Sequence, residues 1–195
     1  MSKLKDMMPK DPVHERRVEL RSYPVEDGRI IVEGRLRDER LVPGYQWDGQ
    51  ERGPGVVHWM CVRLLVGGWP LEILDAEAEM PGIPYELCNT TMDSVKKIIG
   101  MPIVSGFSEA VRERIGGVNG CAHLTYLIVT MGPAALHGVI TQKSRRPSPV
   151  PGSLEEFPGL SYVLNSCRLW AEDGPNVRMI QETIERLNED SADTG

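Results

Sequence analysis

Apolar and polar residues alternate with period two through residues 17–23 and again through 29–36. Between them, Glu26-Asp27-Gly28 carries the polar, glycine-containing signature of a hairpin turn. A third run, 56–66, is the strongest strand in the chain. Gly67-Gly68 turns it, and 71–80 returns as its partner. Residues 42–55 hold Pro43, Gly44, Gly49, Gly53, Pro54 and Gly55 and predict a loop. After Pro81-Gly82 and Pro84 the period changes. Thr90-Thr91-Met92-Asp93 predicts a capped start for a helix over 92–99, which Gly100-Met101-Pro102 ends. A second helix is expected over 108–115. A third is expected over 121–131, with Leu124, Leu127, Ile128 and Met131 on one apolar face. The proline-rich run 143–159 predicts an extended excursion, 162–170 a short strand or buried segment, and 176–188 an amphipathic helix. Strands first and helices afterwards predict an α+β fold. Three or four antiparallel strands from the N-terminal half would be covered by helices from the C-terminal half. The expected organisation is a single domain over 16–188, with flexible tails at 1–15 and 189–195.

Composition narrows the class. The 195 residues carry a net charge of -6, which argues against a nucleic-acid binder that would present a basic face. No uninterrupted apolar run approaches the roughly 20 residues that cross a bilayer, and the N-terminus lacks a secretory core. The expectation is a cytoplasmic protein without a membrane partner. Four cysteines are too sparse for a disulfide scaffold and are expected as thiols. Neither phosphate-loop signature occurs, nor does any C-x-x-C or H-x-x-x-H pair. Any site is therefore assembled from distant segments.

Four residues are candidates for that site. Period two places His58 at the head of the row Met60, Val62, Leu64, beside the glycine-rich loop; the alternative is a core-edge histidine bonded to a backbone carbonyl. Cys88 precedes a predicted helix start and Cys121 stands at another, positions that favour thiolate; the alternative for each is a small buried apolar residue. His123 follows in the first turn of that helix, where the positive end of the dipole favours the neutral ring; it could equally be a capping-region histidine. Two Cys and two His form a tetrahedral set for zinc, and softer ligation suits iron. The competing chemistry is metal-free catalysis, with Cys121 and His123 as thiolate and base. Cys61 and Cys167 are read as structural. Asp75, Glu77 and Glu79 share parity and are read first as a solvated sheet face, with Leu74, Ala76, Ala78 and Met80 turned inward.

Four segments occur in an order that carries a resemblance: Ile-Val-Glu-Gly-Arg-Leu-Arg-Asp ending at Asp38, Val57-His58-Trp59-Met60, Pro84-Tyr85-Glu86-Leu87-Cys88, and Gly120-Cys121-Ala122-His123-Leu124. Over about residues 16–172 the chain resembles the bacterial family called domain of unknown function 2889. It departs from that family's pattern at Trp59 (an Asp there), Ala122 (a Thr) and Arg168 (a His). The layout of a ligand on a strand, a Cys before a helix and a ligand pair at a later helix is also similar to NifU-type iron–sulfur scaffold proteins. Neither resemblance implies an activity. Three functions stay open: a metal-dependent enzyme on a small, partly apolar substrate, a non-enzymatic metal or sulfur scaffold, and a metal-free Cys/His enzyme. A homo-oligomer is compatible with all three.

Overall fold

The computed structural model describes residues 3–192. Chain contacts divide it into two compact units, Met1–Val139 and Ile140–Gly195. The first unit is built on an antiparallel meander in the order β1 (His14–Pro24), β2 (Ile30–Arg40), β5 (Gly55–Gly67), β6 (Glu72–Gly82). The hairpin between β1 and β2 forms at the expected turn, with Asp27 and Gly28 both in the left-handed region. Strand β1 begins at His14, inside the stretch expected to be a tail. Its polar sequence is held there by ladder pairing with β2, which does not need an apolar side chain. Residues 42–55 are not wholly loop: β3 (Gly44–Tyr45) and β4 (Glu51–Arg52) form a small second hairpin.

One face of the meander is the core side. Ile30, Val32 and Leu36 of β2 and Met60, Val62, Leu64 and Val66 of β5 are all buried. Each fully buried aliphatic side chain of this kind contributes about 1.5–3 kcal/mol. The register between β5 and β6 slips at Leu65/Val66, opposite Asp75 and Ile73. The bulge turns Ile73 inward and Leu74 out to 40% exposure, the reverse of the alternation read from sequence. Asp75, Glu77 and Glu79 do line the solvent side, as expected.

Helix α1 (Lys3–Asp6) is a single turn before the sheet. After β6, the segment Glu86–Ile98 is wound as 3-10 helix, begins six residues before the expected helix, and buries Ser94, Val95 and Ile98. Thr90 and Thr91 do not cap a start: their hydroxyls bond back to the carbonyls of Leu87 and Cys88. Helix α2 (Phe107–Ile115) matches its expected range. Helix α3 (Ala122–Lys143) runs twelve residues past the expected stop, through Gly132-Pro133. Pro133 removes one backbone donor, but Met131 and Gly132 before it and Ala135 and Val139 after it are buried, and this packing carries the helix through. By length and composition α3 could cross a membrane, with a mean hydropathy of 1.4 over its most apolar stretch. In this fold Leu124, Leu127, Ile128 and Met131 are fully buried.

Gly34 of β2 shows how α3 lies on the sheet. A Cβ there would stand 2.7 Å from Met131 Sδ and 3.1 Å from Leu127 Cδ1, so these two helix side chains pack directly on the strand backbone. Toward the far end Gly138 packs against Ser22 and Ile30. The helix therefore runs antiparallel to β2, and its first turn comes down at the Asp38 end.

The second unit has α4 (Leu160–Val163) and α5 (Pro175–Ala192). Residues 162–170 form neither a strand nor a buried segment, and α5 buries Val177 and Ile184. The helix continues through Ala192, into the stretch expected to be a tail; residues 193–195 lie outside the described residues.

Candidate metal centre

The inward row of β2 reads Ile30, Val32, Gly34, Leu36, Asp38, so an aspartate ends an otherwise apolar stripe and is 2% exposed. Opposite it on β5 stands His58, which ends the row of Met60, Val62 and Leu64 in the same way, and opposite it on β1 stands Arg16. These three form one cross-strand rung on the core face. Helix α3 delivers His123 onto the rung from above.

Asp38 is the hub. Arg16 Nε and Nη2 donate to its two oxygens at 2.6 and 2.7 Å. His58 Nδ1 lies 3.1 Å from Oδ2, His123 Nε2 lies 3.9 Å from the same oxygen, and His14 Nε2 lies 3.6 Å from Oδ1. The rings of His58 and His123 stack at 3.9 Å between centroids. Donor atoms of Asp38, His58 and His123 all lie within 4.8 Å of one another. Nitrogen and oxygen ligands at about 2.0–2.2 Å in a tetrahedron stand about 3.3–3.6 Å apart. The side chains would have to rotate inward from this spacing to close the triangle on an ion.

The electrostatics fit this use. The Arg16 hydrogen bonds, against the opposing pull of burial, hold the Asp38 carboxyl below the ordinary aspartate value, so it is anionic at neutral pH. Burial lowers the His123 pKa below the usual imidazole value, and the neighbouring His58 and Arg16 push the same way. A neutral imidazole offers a lone pair. The short His58–Asp38 distance reads in two ways. With a proton on Nδ1 it is a hydrogen bond; without one, two lone pairs face each other and need a cation between them.

Of the four candidates from sequence, His58 and His123 come together. Cys121 occupies the residue before α3, its carbonyl accepting the Thr125 N–H at 2.9 Å, with Sγ 3.9 Å from His123 Nδ1. Its thiol thus touches the side of the ring turned away from Asp38. Cys88 lies in the first turn of the 3-10 segment and is outside the group of three. Cys61 is buried on the opposite sheet face, where burial pushes its thiol pKa up. Asp38, Arg16 and His14 carried no role in the sequence reading. The signal for Asp38 was the one that singled out His58, a polar residue continuing an inward row.

The family model described as "Protein of unknown function (DUF2889)" matches residues 14–137, more than half of the chain. That span includes Asp38, His58, Cys121 and His123, and nothing in the comparisons supports the NifU-type layout. No curated protein and no solved structure matches the chain.

Proposed function

We propose, from the premise that this chain belongs to the DUF2889 family, that its first unit is a metal-binding domain using Asp38, His58 and His123. Two imidazoles and one carboxylate, delivered by two strands and a helix start, are the donor set of open zinc and non-haem iron(II) sites. The convergence of those three donors is the observation that carries the reading. Three protein ligands leave at least one coordination position free, which suits an enzyme acting on a small molecule more than a closed structural site. Arg16 orients Asp38 from outside, with its guanidinium over the Tyr126 ring at 5.8 Å. Cys121 supports the far nitrogen of His123 in the same way.

The test is metal analysis of untagged protein. About one zinc or iron per chain is expected, lost in both His58→Ala and His123→Ala. Protein that purifies without metal, and whose thermal unfolding does not move on adding zinc(II) or anaerobic iron(II), overturns the reading. A thiol or azide that perturbs the spectrum of the cobalt(II)-substituted protein supports an enzyme with a free position over a scaffold. The contact between Cys121 and His123 favours a second, metal-free reading, in which this pair acts as nucleophile and base. Metal-independent alkylation of Cys121 that slows in His123→Ala would favour it.

A further inference from the structure

The two edges of the meander are not alike. Beyond β6, the chain at 100–103 pairs with the start of the edge: Gly100 N–H donates to the Ile73 carbonyl, and Ile73 and Ile103 N–H donate to Met101 and Leu71. Beyond β1 no strand follows among the described residues. An open edge of eleven residues is a template for another strand.

The direction of the unpaired groups follows from the bonds flanking the hairpin ladder. Val13 accepts from Leu41, and Val25 donates to Arg29. Odd-numbered residues of β1 therefore face β2, and the N–H and C=O of the even-numbered residues face outward. Pro12 and Pro24 are even-numbered, so each lacks a donor that would have faced outward. They bound an open stretch from His14 to Ser22, centred on Val18, which is 36% exposed.

The side chains on the solvent face of that stretch alternate in sign: Glu15, Arg17, Glu19, Arg21. The geometry points to a second copy of this chain as the occupant, its β1 pairing antiparallel about a two-fold axis at Val18. In that register the outward groups of residues 14–22 bond reciprocally. Glu15 then meets Arg21 of the other copy, and Arg17 meets Glu19. These opposed residues form the non-hydrogen-bonded pairs, whose side chains stand closest. Pro12 falls opposite Pro24, so both missing donors lie at the ends of the ladder. A slip of two residues in either direction sets Arg17 against Arg17 or Glu19 against Glu19. Charge thus selects one register, and the result is an eight-stranded sheet with an isologous interface.

Sedimentation of the full chain tests this. The wild type is expected to be a dimer. Arg17→Glu and Glu19→Arg each turn two attractive pairs repulsive and are expected to weaken self-association by about tenfold or more. An equimolar mixture of the two variants restores opposite charges across the seam and is expected to re-form the dimer, which also shows that both variants are folded. A monomeric wild type, dimers indifferent to either reversal, or a mixture that stays monomeric overturns the proposal. The first of these outcomes would leave the edge to an extended segment of another protein.

Discussion

Two charged clusters lie on opposite faces of the same sheet. On the solvent face Arg63 bonds Glu33, Glu77 and Glu79 from two neighbouring strands, and Arg35 bonds Glu33 as well. On the core face one carboxylate, Asp38, meets Arg16 and three imidazoles. In the first cluster every charge is answered by a permanent opposite charge, and the Arg63 pKa is raised accordingly. In the second, the partners beyond Arg16 are groups that can shed a proton and offer lone pairs. The first is a brace, and the second carries the donor groups of the proposed metal site.

The largest effect that would break this comparison is expected from Asp38→Ala. It leaves Arg16 and the imidazoles without their anion and should cost about 2–3 kcal/mol, read by urea unfolding. Metal content should fall to background in the same variant, and retained metal would refute the site. Glu33→Gln should cost less, about 1–2 kcal/mol, and leave metal content intact.

The same variant sharpens the comparison through pH. Burial raises the Glu33 carboxyl pKa, but the hydrogen bonds from Arg35 and Arg63 outweigh it and hold the group below its ordinary value. A depressed carboxyl stabilises the fold above its unfolded pKa, so that contribution is intact above about pH 4.5 and is lost as pH falls further. Urea midpoints measured downward from neutral pH should drop more steeply in the wild type than in Glu33→Gln; parallel curves would remove Glu33 from the acid response.

Smaller changes are expected at the cysteines. Cys121→Ala removes a group behind His123 and should weaken metal affinity by about tenfold. Cys88→Ser should leave it unchanged in a chelator competition, whereas loss of metal there would enlarge the site to include a thiolate.

The sheet was legible because alternation is a local pattern that burial enforces residue by residue. Followed two residues past Leu36, the same alternation leads to Asp38. Its partners could not be read, because the pairing of Arg16, Asp38 and His58 is a matter of register between strands about 20 residues apart. The Leu74 bulge and the passage of α3 through Gly132-Pro133 escaped for a related reason: in each, tertiary packing overrides a local rule. Cys88 illustrates the converse. Thr90 and Thr91 look like a cap by composition, yet their hydroxyls serve turns already formed.

The bare backbone at Gly34 reaches further than its own contact. From Gly34 to Asp38 along β2 is about 13 Å, and from Met131 back to His123 along α3 is about 12 Å. The two spans run side by side, so the place where helix touches strand acts as a fulcrum one lever-arm away from the imidazole. A methyl at position 34 would press on the Met131 and Leu127 side chains, and any shift of α3 that followed would reach the ring that meets Asp38. The spacing of Asp38, His58 and His123 thus depends on a contact one lever-arm away, at a position without a side chain.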